Sequence, residues 1–229
     1  STQVGCRMGC AFCASTLDGR VRNLTPGEML GQVVAANRHI QREDPARRVH
    51  NIVLMGSGEP LDNYDSVVAF LRRVNDPEGL NISLRSVSLS TCGLVPKMYD
   101  FAGEGLPVTL SISLHAPNDD VRCKIMPVAN AYPIGEVLAA CKNYVEKTGR
   151  RVIVEYALIR GVNCALSQAD ELAARLRGLN CHVNLIPLND VKERNLHAPE
   201  KVEVAAFLRR LNSRGVSATV RREMGADIG

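Results

Sequence analysis

The chain has 229 residues, of which 45% are hydrophobic and 23% are charged. These proportions exclude intrinsic disorder and a fibrous fold, and no apolar run approaches the ~18 residues that span a bilayer. The formal net charge of +4 is too small to indicate nucleic-acid binding by itself, and 4% aromatic residues argue against broad base-stacking surfaces. Since no export signal is recognisable, we expect a cytoplasmic protein without membrane contact.

Strands and helices alternate along the chain. The first predicted helix has a capping box at Thr25 and Glu28, with Pro26 at its first position, and runs to about residue 41. The elements that follow are a strand over 50–55, a helix over 64–74, a strand over 86–90, a helix over 95–104, a strand over 108–114, a loop with Pro117 and Pro127, a helix over 134–147, a strand over 151–158, a helix over 167–177, a strand over 182–186, a helix over 200–211 and a strand over 217–221.

About six strand–helix units follow one another without a break in composition. This pattern predicts an α/β fold with a parallel sheet and right-handed crossovers. Because a closed eight-unit barrel takes ~250 residues, we expect an incomplete parallel (β/α) barrel, with a doubly wound open sheet as the alternative. In both architectures ligands bind at the carboxyl ends of the strands.

Three of the eight cysteines form a tight CxxxCxxC motif at Cys6, Cys10 and Cys13. Three thiolates in one loop can hold three irons of a [4Fe–4S] cube and leave the fourth iron open, whereas an electron-transfer cluster normally has four cysteine ligands. A zinc knuckle would need a second ligand pair at a set distance, and none is evident. The other five cysteines are scattered, and we interpret them as small buried hydrophobes in a reducing compartment.

Further motifs follow the predicted strands in order. The ordered set comprises Gln3–Cys6 with Cys10 and Phe12–Cys13, Arg22–Thr25, Met55–Leu61, Leu89–Thr91, Ser113–Asp119, Met126–Pro127, Val183–Pro187 with Asn189, and Gly225–Ile228. With this set the chain resembles the radical S-adenosylmethionine superfamily and, within it, the 23S rRNA adenine C2-methyltransferases, the RlmN-like enzymes. The resemblance covers nearly the whole chain.

The resemblance implies a [4Fe–4S] cluster on Cys6, Cys10 and Cys13, with S-adenosylmethionine on the open iron. The cofactor contacts it implies are Gly58, Glu59, Ser90, Ser113, Leu114, His115 and Asn189. Taken singly, these residues are ordinary: a glycine turn, hydroxyls at strand ends and a lone histidine that is more often structural.

Arg20 and Arg22 follow the cysteine loop, and we predict that they contact RNA, since the arginine fork suits phosphate. Solvated surface is the alternative reading for every arginine. The segment Asn118 to Arg122 is compatible with a solvated loop or an RNA-facing one.

The resemblance further implies methylation of adenine C2 in 23S rRNA, and in tRNA beside the anticodon, through a methylated cysteine near the C-terminus. An electron donor like flavodoxin or ferredoxin is implied as a partner, and we expect a monomer. Both catalytic cysteines of the family, and its N-terminal accessory domain, would lie outside residues 1–229. We therefore expect residues 1–229 to be one radical core domain that cleaves S-adenosylmethionine without methylating RNA.

Three alternatives remain. The first is methylation at adenine C8. The second is an iron–sulfur electron-transfer or redox-sensing module, which would need a fourth ligand from the protein. The third is a zinc-stabilised RNA-binding module.

Overall fold

The computed structural model describes residues 1–189 and 193–221. A short antiparallel hairpin comes first, formed by β1 (Gln3–Gly5) and β2 (Arg20–Asn23). Six parallel strands then form one sheet in chain order: β3 (Ile52–Leu54), β4 (Val87–Thr91), β5 (Thr109–Ser113), β6 (Val152–Leu158), β7 (Cys181–Pro187) and β8 (Ala218–Val220). The sheet stays open between β3 and β8 in the described part of the chain, which confirms the predicted incomplete barrel.

Helices connect the strands and cover one face of the sheet. They are α1 (Pro26–Ile40), α2 (Tyr64–Val74), α3 (Val95–Gly103), α4 (Asp119–Ile125), α5 (Ile134–Thr148), α6 (Leu166–Arg175) and α7 (Lys201–Ser213). The predicted capping box of α1 is present: Thr25 Oγ1 accepts from the Glu28 amide, and the Glu28 carboxylate accepts from the Thr25 amide. None of the helices in the described ranges is long and apolar enough to cross a membrane.

The two faces of the strands have different compositions. Leu110 and Ile112 of β5 are fully buried against the helices, and each buried side chain of this size stabilises the fold by roughly 1.5–3 kcal/mol. Ser111 and Ser113 alternate with them and face the other side of the sheet, where Ser88 Oγ lies 3.0 Å from Ser111 Oγ. The inside of the half-barrel is therefore lined by small polar side chains.

The structure corrects the sequence prediction in the segment between β5 and α5. The predicted loop with Pro117 and Pro127 contains helix α4, because Asn118 caps it by accepting from the Val121 amide at 2.9 Å. Arg122 is fully buried rather than part of a solvated or RNA-facing loop. The hairpin β1–β2 was not predicted at all. The predicted motif Gly225–Ile228 lies outside the described residues.

Candidate functional site

A cavity of about 420 Å³ opens at the carboxyl ends of the parallel strands. Its position agrees with the expectation for an α/β barrel. The sequence-predicted residues that line it are Cys6, Cys10, Cys13, Gly58, Glu59, Ser90, Ser113, His115 and Asn189. The fold therefore brings together residues that are spread over more than 180 positions of the sequence.

The three cysteines sit on the loop between β1 and β2. Thr16 Oγ1 donates to the carbonyls of Cys10 and Cys13 at 3.1 and 2.9 Å, which folds the loop back on itself. The Ala11 amide donates to the carbonyl of Ile125 at 2.9 Å, so the middle of the loop is fastened to the end of α4. These hydrogen bonds hold the cysteine loop in one conformation at the edge of the cavity.

All three thiols are free, and Cys6 and Cys10 are buried. Burial raises the pKa of Cys10 to about 12, with a further contribution from the neighbouring thiols of Cys13 and Cys6. Among the residues that the structure describes, no three Cys, His, Asp or Glu side chains converge on one point as ligands of a single ion. A cube of four irons needs no such point, because each thiolate binds a different iron.

A second loop, after β3, is locked against β1. Gln3 is buried; its Oε1 accepts from the Glu59 amide at 2.9 Å, and its Nε2 donates to the carboxylate of Asp62 at 2.9 Å. Asp62 also pairs with the guanidinium groups of Arg7 and Arg20. The cysteine loop and the loop of Gly58 and Glu59 therefore share one hydrogen-bond network.

Glu59 is buried at the back of the cavity. Its carboxylate accepts from the Leu61 amide at 3.0 Å and from the Cys92 amide at 2.8 Å, and the Cys92 thiol also hydrogen-bonds to it. Burial raises the pKa of Glu59, although these hydrogen bonds oppose the shift. Because no basic side chain pairs with it among the described residues, the carboxylate would bind an ammonium group with charge complementarity.

His115 holds a left-handed conformation, with φ of 56°, two residues after the end of β5. Its Nδ1 accepts from the Ala157 amide at 2.9 Å, and its ring contacts Phe12 edge-on at 4.9 Å between centroids. Burial lowers the pKa of His115 to about 3, with a smaller contribution from Arg122. The imidazole is therefore neutral and fixed in orientation.

A row of polar side chains crosses the sheet at the level of the cavity. Ser113, Glu155 and Asn184 are paired across β5, β6 and β7, and Asn184 Nδ2 donates to the Glu155 carboxylate at 2.8 Å. Glu155 lines the cavity, and burial raises its pKa. Sequence reasoning missed Glu155, although a lone charged residue inside an otherwise apolar strand was an available signal.

Three predicted site residues are placed differently from the rest. Leu114 is fully buried in the core, its amide donates to the Glu155 carbonyl and its carbonyl accepts from Arg122, so it lies beneath the cavity and not on its wall. Arg20 pairs with Asp62, and Arg22 pairs with Glu28 at 2.7 Å on the surface. RNA contact by these two arginines stays a prediction.

Comparison with known proteins places this geometry in a family. The family model described as the radical SAM superfamily matches residues 1–173. The chain is 55% identical over 228 residues to the probable dual-specificity RNA methyltransferase RlmN of Clostridium perfringens (strain 13), covering all of this chain and 64% of that protein. It is 53% identical to the corresponding protein of Clostridioides difficile (strain 630), again over the whole chain and 65% of the relative.

The fold comparison agrees with the sequence comparison. The crystal structure of a radical SAM methyltransferase from Sphaerobacter thermophilus superposes with a TM-score of 0.96 at 48% identity, over 99% of this chain and 66% of that one. The chain therefore belongs to the radical SAM superfamily. It spans slightly less than two thirds of the length of the relatives named here.

Membership confirms the predicted cofactors, a [4Fe–4S] cluster and S-adenosylmethionine. The donor set fits them. Three free thiols line the cavity, together with the buried carboxylate of Glu59 and the residues Ser90 and Ser113. Cys92 also lines the cavity, but its thiol is engaged by Glu59.

Proposed function

We propose that this chain is the radical core of an RNA methyltransferase that acts at C2 of adenosine in 23S rRNA and tRNA. The observation that carries the proposal is the single cavity in which the three-cysteine loop meets the Gly58–Glu59 loop and the hydroxyl-bearing strand ends. Identity of 50–55% to RlmN proteins along the entire chain supports the RNA substrate and favours C2 over C8.

Cys6, Cys10 and Cys13 would hold the cluster. When bound and reduced, the cluster supplies the single electron that cleaves S-adenosylmethionine. The chain itself would orient the cluster and the cofactor and would exclude water from the cavity. The Thr16 hydroxyl and the Ile125 carbonyl fix the cysteine loop before any metal arrives, so little ordering entropy is lost on binding.

The methionine end of S-adenosylmethionine carries an ammonium, for which Glu59 is the buried acceptor in this cavity. Gly58, with φ of 99°, packs directly against Gln3, and the absence of a Cβ lets the Gly58–Glu59 loop lie against β1 beside the cavity. We assign Ser90, Ser113 and Asn189 to hydrogen bonds with the polar groups of the cofactor. The neutral ring of His115, oriented by its hydrogen bond from the Ala157 amide, would form part of the cavity wall. Met126, Ile186 and Leu188 supply apolar surface that excludes water.

The remaining assignments follow the same proposal. Arg20 and Arg22 belong to β2, which follows the cysteine loop, and we assign them to contact with RNA phosphates. A flavodoxin-like or ferredoxin-like donor would supply the electron, the chain would act as a monomer, and residues 1–229 would form one core domain.

The cofactor proposal is tested on the chain reconstituted anaerobically with iron and sulfide. We expect about four irons per chain, and an EPR signal of the reduced protein that changes when S-adenosylmethionine is added. Cys13→Ser should abolish the signal, whereas Cys164→Ser, at a half-buried cysteine near the N-terminus of α6, should leave it unchanged. Zinc without iron, or a signal indifferent to S-adenosylmethionine, would refute the proposal.

The RNA proposal needs the complete gene product that contains residues 1–229. Treated 23S rRNA and tRNA are digested to nucleosides, and the methyl group is located by mass spectrometry against synthetic 2-methyladenosine and 8-methyladenosine. We expect the 2-methyl product. The 8-methyl product would refute the C2 assignment, and absence of both from a protein that cleaves S-adenosylmethionine would refute the RNA substrate.

A further inference from the structure

Arg122 is a fully buried arginine in the middle of α4, and it does not line the cavity. Its guanidinium donates to three backbone carbonyls: Nε to Leu114 at 3.2 Å, Nη1 to Tyr132 at 3.1 Å and Nη2 to Cys92 at 2.7 Å. All three acceptors are neutral. Within residues 1–189 and 193–221, no carboxylate lies at ion-pair distance from this side chain.

A buried cation without a counter-ion is unfavourable, and neutral carbonyls compensate it only in part. Burial accordingly lowers the pKa of Arg122. The acidic groups near Arg122 are the carboxyl group of Asp119 and the thiols of Cys92, Cys10 and Cys123. The Glu59 carboxylate is connected to Arg122 through Cys92, whose amide donates to Glu59 and whose carbonyl accepts from Arg122. The folded chain therefore buries the positive charge of Arg122 at a position where a nearby negative group would stabilise it.

The neighbours of Arg122 connect its charge to the cysteine loop. Cys92, whose carbonyl takes the shortest of the three hydrogen bonds, packs in one apolar cluster with Cys10, Ile125 and Met126. The same α4 receives the Ala11 amide from the loop at its C-terminal end. Because this region is buried, charges across it interact much more strongly than they would in water.

We propose that the charge of Arg122 raises the reduction potential of the cluster held by Cys6, Cys10 and Cys13; the inference rests on the cluster site proposed above. Reduction adds one electron from an external low-potential reductant, and no bond forms or breaks. The cluster with its three thiolates thereby becomes more negative. A fixed cation beside it stabilises the reduced form more than the oxidised form, and charge and burial are among the factors by which proteins tune such clusters.

The alternative role of Arg122 is purely structural, as a clamp on three carbonyls. Charge and clamping are separable by substitution. Arg122→Lys keeps the charge and loses the planar fork, whereas Arg122→Gln, or citrulline installed at the same position, loses the charge and keeps amide or urea donors. Arg150→Gln is the control: Arg150 is also partly buried and hydrogen-bonded, to Thr109, but it precedes β6 at the opposite end of the sheet.

The measurement is an EPR-monitored redox titration of the reconstituted chain with titanium(III) citrate, together with thermal unfolding of each variant. We expect a fall in midpoint potential for the glutamine and citrulline variants, no fall for Arg122→Lys or Arg150→Gln, and some loss of thermal stability in all the Arg122 variants. Equal midpoint potentials in the wild-type chain and the uncharged variants would overturn the inference.

Loss of the cluster from both uncharged variants would also overturn it, because charge would then be inseparable from clamping. These outcomes differ from failure of the proposed function. If the wild-type chain binds no cluster, the cluster site itself is wrong, whereas a wild-type cluster with an unresponsive potential rejects only the role of Arg122.

Discussion

Substitution of Gly58 is the sharpest test of how the cavity is built. Gly58 adopts φ of 99°, and a Cβ placed on it would lie 2.5 Å from Gln3 Cβ and 2.9 Å from the Gln3 backbone nitrogen. The clash involves the backbone of β1, which a rotamer change cannot relieve. Gly58→Ala must therefore either push β1 away from the loop or distort the loop itself.

The magnitude follows from two contributions. A left-handed conformation costs a residue with a Cβ roughly 1–2 kcal/mol, and overpacking adds about 1–3 kcal/mol. We expect Gly58→Ala to lower the free energy of unfolding by about 2–5 kcal/mol in total. Gly149→Ala is the matched control, since Gly149 has φ of 67° at the end of α5 with open space around it, and only the first contribution of ~1–2 kcal/mol applies.

The assay has two parts, both anaerobic. Guanidinium unfolding compares the two variants with the wild-type chain, and iron and sulfide content after reconstitution reports the cysteine loop. Because Gln3 connects Gly58 to Asp62 and the cysteine loop, Gly58→Ala should also bind less cluster. If Gly58→Ala is no less stable than Gly149→Ala and retains the full cluster, the coupling through Gln3 is wrong.

Three further predictions concern charge. Burial pushes the pKa of Asp62 up, but the hydrogen bonds from Arg7 and Gln3 and the charges of Arg7 and Arg20 together outweigh it and leave that pKa below its usual value. Asp62→Asn should therefore destabilise the chain at pH 7 by an amount that shrinks as the pH falls through the native pKa of Asp62. His115 stays neutral while the unfolded chain takes up a proton below about pH 6.5. The folded chain is therefore destabilised on acidification, by about 2 kcal/mol between pH 6.5 and 5, because it must keep the His115 ring neutral for its hydrogen bond with Ala157. His115→Asn should remove this contribution to the dependence of unfolding free energy on pH. Because Arg22 is exposed and its pair with Glu28 lies on the surface, Arg22→Ala should leave stability nearly unchanged. It should reduce the salt dependence of RNA binding by about one phosphate contact in a filter-binding series.

The alternation of strands and helices was predictable because its signals are local. The strand β5 shows period-two alternation, and α1 carries its cap within four residues at Thr25 and Glu28. Both features depend on interactions between residues close together in the sequence, so they can be recognised without knowledge of the fold. The positions of the cysteines and of Gly58 were predictable for a different reason, namely the ordered motifs of a family.

What was missed depends on contacts between distant residues. The hairpin β1–β2 has strands of only three and four residues, and the second is fully exposed, so no hydrophobic pattern marks it. Helix α4 lies between prolines in a charged run, which locally favours a loop. Arg122 was read as surface because arginines are seldom buried; only the three carbonyls that converge on it in the fold reverse that expectation.

Contacts between distant residues also hold the cysteine loop in place. The outer end of the cysteine loop is tied through Arg7 to Asp62, which follows β3, and its middle is tied through the Ala11 amide to α4, which follows β5. These anchors belong to different strand–helix units, so the loop reaches its place only when both units are docked in the sheet. It follows that the cysteine loop is not an independent metal-binding motif: a peptide of residues 1–24 lacks both anchors and should bind a cluster far more weakly than the folded chain, measured as iron and sulfide retained on gel filtration. Equal retention by the peptide would show that the motif alone, without the half-barrel behind it, determines the site.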